Sequence, residues 1–225
     1  MMKRTLEPEL MEDEEQVIAY AEADFEAPHS HFISLLQTFL DHQAVAGYVL
    51  DLGCGPGDIN FRLADRFPDC IIHGVDGSEA MLRYANRRLA RSHPLHHRIR
   101  FIQGILPNAA LPCDHYDAVV SNSLLHHLAD PQVLWEAVQR WARPGAPVFI
   151  MDLFRPKSTV QAQQLVDTYA ATEPEILRRD FYNSLLAAFT IDEIKSQLAT
   201  TGLGHFSVVP VSDRHIVVSG YRDRR

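Results

Sequence analysis

Three glycines at alternate positions, Gly53, Gly55 and Gly57, follow Asp51 at the end of an apolar run. Glycine takes positive φ at little cost and lets a ligand lie against bare backbone. A helical pattern begins just beyond, near Asp58, so the free N–H groups of a helix start face the same place. The chemistry on offer is recognition of a nucleotide-like ligand. No lysine follows the glycines as GxxxxGK[ST] requires, which disfavours a triphosphate. The spacing GxGxG also departs from the GxGxxG of nicotinamide sites. Asp76 ends the next apolar run, and a right-handed βαβ connection puts its carboxylate beside the glycine turn. There it can accept both hydroxyls of a ribose.

Histidine is the second chemical resource, with 12 in the chain. His126 and His127 follow the fourth apolar run, at the edge where open α/β sheets bind ligands. Side chains of adjacent residues rarely converge on one ion. No HxxxH pattern accompanies them, and Cys54, Cys70 and Cys113 are too widely spaced for a zinc or iron–sulfur pattern. The expectation is no metal.

The elements that position these residues read as strand–helix five times over. Strands are predicted at Tyr48–Leu52, Cys70–Val75, Ile99–Gln103, Tyr116–Ser121 and Pro147–Leu153. Helices are predicted at about 58–67, from Ser78 to the break at His93-Pro94, and at about 131–141. This order implies a parallel sheet covered on both faces. A helical insertion fills about 157–189. Thr190-Ile191-Asp192-Glu193 is a capping box opening a helix to about Thr200. Strands His205–Val211 and Ile216–Tyr221 are close enough for a hairpin, so one of them is antiparallel. Before the first strand, residues 1–15 read as a mobile acidic tail. Residues 16–25 are partly helical, Pro28 interrupts, and Ser30 caps a helix from His31 to His42. Residues 1–43 thus form a tail and a helical lid, or simply pack on the sheet; residues 44–225 form one domain.

Composition narrows the function classes. A chain of 225 residues, 46% of them hydrophobic, fits one large α/β domain. A net charge of −8 disfavours a nucleic-acid partner. The arginines at 83, 87, 88, 91, 98 and 100 read as a solvated helix face. No apolar run approaches the ~18 residues of a membrane span, and the start lacks a signal-peptide core. With an odd number of cysteines, the chain reads as soluble and cytoplasmic, a monomer or homodimer.

Three segments together resemble a known family: Asp51-Leu-Gly-Cys-Gly-Pro-Gly57, Val75-Asp-Gly-Ser-Glu-Ala-Met-Leu82, and Asp117-Ala-Val-Val-Ser-Asn-Ser-Leu-Leu-His-His-Leu128. They look like the motifs of class I S-adenosylmethionine-dependent methyltransferases, in that family's order. The resemblance implies a Rossmann-like three-layer sandwich, with a seven-stranded, mostly parallel sheet ending in an antiparallel hairpin. It implies S-adenosyl-L-methionine as cofactor and S-adenosyl-L-homocysteine as product. Gly53, Cys54, Gly55 and Gly57 would border the methionine part and Asp51 its ammonium. Asp76 would hold the ribose, Gly77 and Met81 would border ribose and adenine, and Ser121 and Asn122 would sit near the sulfonium end. The family often carries Asp in the strand-three loop; here Gly104-Ile105-Leu106 offers only backbone and apolar contact to adenine.

The acceptor is read less sharply. His126 or His127 is the candidate base. Tyr20, Phe25 and His31 before the first strand, and Asp152, Phe154 and Arg155 after the fifth, are candidates for substrate contact. The sequence lacks the Asn/Asp-Pro-Pro-aromatic segment of base-amine methyltransferases, and no large added domain is present. A small-molecule acceptor follows, with a non-catalytic cofactor-binding regulator as the alternative.

Overall fold

The computed structural model describes residues 2–224. Seven strands form one sheet: β1 (Gly47–Leu52), β2 (Cys70–Asp76), β3 (Ile99–Gln103), β4 (Ala118–Asn122), β5 (Pro147–Leu153), β6 (Ser207–Pro210) and β7 (His215–Tyr221). Their spatial order is β3-β2-β1-β4-β5-β7-β6. The pairs among β1 to β5 are parallel, while β7 runs antiparallel to both β5 and β6. The order reverses between β1 and β4. Chains leaving these two strands diverge to opposite sides, which opens a crevice at their carboxyl ends.

Alternation along the strands builds two cores. Leu50, Val119, Val148, Ile150, Ile216 and Val218 face one side, against Trp135 and Trp141 of α5 (Gln132–Trp141) and Ile194 of α8 (Ile191–Thr200). Val49, Val120, Phe149, Met151 and Val217 face the other, against Phe32 and Leu36 of α2 (Glu26–Phe39) and Phe61 of α3 (Asp58–Arg66). Side chains of period two serve opposite faces, so a strand covered on both reads as a continuous apolar run. Helix α4 (Glu79–Ala90) begins at Ser78, whose hydroxyl accepts from Met81 N. The insertion forms α6 (Thr159–Tyr169) and α7 (Glu175–Ala187), with a small core of their own around Leu165 and Leu185. The Thr190–Glu193 capping box is present in full. Among the described residues no helix is long and apolar enough to cross a membrane.

Two expectations at the amino end are corrected. Pro28 does not interrupt: it lies in the first turn of α2, where a missing N–H costs nothing. Ser30 is therefore inside the helix, and its hydroxyl donates to Glu26 rather than capping. The acidic tail is not loose either. Residues 2–13 cross the carboxyl edge of the sheet as a strap leading into α1 (Glu14–Glu22). Arg4 Nη2 donates to the carbonyls of His126 and Leu128 at 2.9 and 2.8 Å, and its guanidinium lies 3.8 Å above the Phe189 ring. Further along, Glu9 accepts from Ala129 N, and the Met11 carbonyl accepts from the Ser78 hydroxyl at 2.6 Å.

His215, at the start of β7, is buried beside Arg214, and both effects push its pKa down to about 4. The unfolded chain takes up this proton first, near pH 6.5. The stability contributed by the neutral ring is thus complete above pH 6.5 and is lost as pH falls toward 4. Urea unfolding should show roughly 3 kcal/mol of this kind lost across that window, and His215→Gln should flatten the slope.

Candidate active site

The glycine turn is held from β2. Gly53 N and Cys54 N both donate to the Val75 carbonyl, at 2.8 and 3.0 Å. The Asp76 carboxylate then bridges two segments: one oxygen accepts from Gly55 N and the other from Ser78 N, each at 2.8 Å. All three glycines have positive φ, at +70°, +51° and +85°. Their surroundings differ. A Cβ at Gly53 would strike Leu124, and one at Gly57 would strike the Phe101 ring. A Cβ at Gly55 would meet nothing within 4 Å. Of the three, Gly55 is the one whose bare backbone faces open space.

That space is a cleft of about 320 Å³ of water-accessible volume. Asp51, Gly53, Cys54, Gly55, Asp76, Gly77, Met81, Gly104, Ile105, Leu106 and Asn122 border it, as do Tyr20 and Phe25 from the amino-terminal helices and His127. Gly57 and Ser121 do not: Gly57 packs inward, and the Ser121 hydroxyl donates to the Leu52 carbonyl at 2.7 Å. His31 is exposed on α2. Phe154 bridges to Phe189, and Arg155 pairs with Glu193 at 2.6 Å, both away from the cleft.

Asp51 is the electrostatic anomaly. It is 1% exposed, and neither carboxylate oxygen has a hydrogen-bond partner. Burial, then the charge of Asp76, pushes its pKa well above the carboxylate range. An unpaired buried carboxylate is costly unless a cation or donor completes it. The Asn122 side-chain oxygen is likewise buried without a partner. Asp76 is raised by burial, with the Ser78 and Gly55 amides pulling the other way. The cleft therefore holds one buried carboxylate with no partner, Asp51, beside a second, Asp76, that is engaged by two backbone amides.

A second set lies behind His127. His126 Nδ1 sits 2.6 Å from Asp152 Oδ1, and the other Asp152 oxygen accepts from Leu125 N. Asp152 thus fixes the turn carrying both histidines and does not touch the cleft. Burial lowers the His126 pKa, but Asp152 outweighs it and the net direction is up. Glu7 of the strap reaches this turn, 3.1 Å from His127 Nδ1. Sequence reasoning missed Glu7, Arg4, Leu10 and Met11, because nothing local marks a contact made across 67 residues or more. It also missed the pairing of His29 with Asp58 at 2.7 Å, which clamps α2 onto the start of α3.

Residues 49–145 match the methyltransferase-domain family model. The matched stretch runs from within β1 to just before β5, and over it the chain is similar to methyltransferases. It is 34% identical over 108 residues to an uncharacterized methyltransferase of Mycobacterium tuberculosis, covering 48% of this chain and 51% of the relative. The chain spans about half the length of the first curated relatives it matches. A methyltransferase structure from Aquifex aeolicus superposes with a TM-score of 0.68 at 16% identity, covering 94% of this chain and 99% of that one. A phosphoethanolamine N-methyltransferase of Haemonchus contortus, solved with S-adenosyl-L-methionine, gives 0.70 at 14% identity, covering 94% and 57%. At these identities the superpositions establish the seven-stranded fold.

The glycines can be told apart by stability. An αL residue with a side chain costs about 1–2 kcal/mol. Gly55→Ala should lose no more than that, while Gly53→Ala, which adds the Leu124 collision, should lose clearly more in urea unfolding.

Proposed function

We propose that the chain is an S-adenosyl-L-methionine-dependent methyltransferase that transfers a methyl group to a small-molecule acceptor. The observation that carries this reading is Asp51: a buried, unpaired carboxylate beside the open backbone of Gly55. The amino-acid end of the cofactor supplies the cation that Asp51 lacks. Asp76 keeps lone pairs beyond those used by Gly55 N and Ser78 N, and these accept the ribose hydroxyls. Ile105, 60% exposed at the cleft, offers the adenine an apolar surface with Leu106.

When bound, the cofactor supplies a methyl group already activated on a sulfonium. The chain's own task is to orient an acceptor and exclude water, which can supply on the order of 7–11 kcal/mol. Tyr20 and Phe25, in ring contact at 4.9 Å, close the cleft from above together with Leu10 and Met11 of the strap. This enclosure supports a small acceptor rather than a nucleic acid. Burial and the nearby carboxylates push the Tyr20 phenol up to about 12, so at neutral pH it presents a hydroxyl that can donate. His127 borders the cleft and, while its Nδ1 is free of other ligands, can take a proton where the acceptor arrives protonated. His126, held by Asp152, positions it. The same reading places the protein in the cytoplasm, as a monomer or homodimer with its three cysteines free.

Calorimetry with S-adenosylhomocysteine tests the cofactor. Asp51→Asn and Asp76→Ala should each weaken binding tenfold or more, about 1.5–3 kcal/mol for a charged hydrogen bond. Affinity unchanged in Asp51→Asn sinks the ammonium assignment, and binding of NAD in place of S-adenosylhomocysteine sinks the whole reading. Labelled methyl incorporation into metabolite pools tests transfer; binding without incorporation would make the chain a regulator instead.

A further inference from the structure

We propose that Glu7, His126 and His127 form a binding site for one divalent transition-metal ion of the zinc class. The site joins the amino-terminal strap to the turn after β4. One ligand atom from each residue, Glu7 Oε1, His126 Nε2 and His127 Nδ1, lies within 4.8 Å of the other two. Glu7 Oε1 stands 3.1 Å from His127 Nδ1 and 3.7 Å from His126 Nε2. Tetrahedral ligands at zinc distances lie about 3.3 Å apart, a value that these two separations bracket.

The polar bookkeeping of the site calls for an occupant. The Glu7 side chain is 10% exposed, and both Glu7 Oε1 and His127 Nδ1 are buried with no hydrogen-bond partner. The 3.7 Å gap is too long for a proton on His126 to bridge directly. Asp152 makes the second observation. By engaging His126 Nδ1 at 2.6 Å it aims Nε2 at Glu7, which is the carboxylate–histidine arrangement that orients metal-bound imidazoles. Two imidazoles and a carboxylate suit zinc and its neighbours, and three protein ligands leave a fourth position for water or a substrate heteroatom. The charges also balance. Glu7 and Asp152 offset a doubly charged ion, while the nearby Arg4 guanidinium is spent on the carbonyls of His126 and Leu128. The expectation of no metal rested on side chains of adjacent residues rarely converging on one ion; here both rings turn toward one carboxylate, which comes from the strap.

The full chain, stripped with a chelator, is titrated with zinc against a chromophoric competitor, and separately with cobalt. One equivalent of zinc should bind, and cobalt should give the visible absorption of a tetrahedral site. Glu7→Gln and His127→Gln keep side-chain size and should each weaken zinc binding at least tenfold, with cooperative thermal melts. Absence of stoichiometric binding by the wild-type chain overturns the proposal and leaves a bridging water as the occupant. Unchanged affinity in either variant overturns it too. The proposal does not rest on the cofactor reading, and S-adenosylhomocysteine binding measured on the same sample reports that reading separately.

Discussion

The geometry of the cleft depends on one carboxylate bridge. Asp76 accepts from the amide of Gly55 and from the amide of Ser78, so the end of β2, the glycine turn and the start of α4 are fixed as one unit. Hydrogen bonds to an ionised acceptor are the stronger kind, and backbone donors have no rotamer freedom to lose. The bridge sets where Gly55 leaves open space and where the helix start faces. It also places a negative charge near Asp51, raising the cost of that second buried carboxylate. The pair stores an unmet demand for positive charge at the carboxyl edge. Of the two carboxylates, Asp76 has its amide partners and Asp51 has none.

The fold was legible because each strand of the sheet interior carries its own signal. Pro147–Leu153 has the predicted boundaries, since a strand buried on both faces is apolar from end to end; Ile99–Gln103, at the sheet edge and partly exposed, has them too. The hairpin strand β6 is shorter than read, Ser207–Pro210, because an edge strand has only one neighbour to pair with. Pro28 misled because a proline reads the same in sequence whether it breaks a helix or sits in its first turn. The glycines, Asp51 and Asp76 could be named because a turn needing positive φ and a carboxylate at a strand end are both local demands. That Gly53 and Gly57 turn toward Leu124 and Phe101, leaving Gly55 as the one of the three whose Cβ position opens on free space, depends on long-range packing. The same limit hid the task of Asp152. It reads as a strand-end carboxylate facing a ligand, yet it is spent on Leu125 N and His126.

The acidic strap has a physical reason to lie where it does. In a parallel α/β sheet every crossover helix begins at the carboxyl edge, so that edge gathers free N–H groups and the positive ends of helix dipoles. The run from Glu7 to Asp13 meets them one by one. Asp13 accepts from Gln16 N to start α1, and Glu12 accepts from Glu79 N at the start of α4. Glu9 accepts from Ala129 N just ahead of α5, and Glu7 faces the two histidines. Each such contact is worth only a few tenths to about 1 kcal/mol when exposed. Together they convert a segment that looks like a solvated tail into a cover for the cleft. A run of carboxylates ahead of the first strand is thus better read as a complement to the edge beneath it. Arg4, with its guanidinium over Phe189 and its donors on the carbonyls of the histidine turn, fixes the end of the strap where no helix start is available.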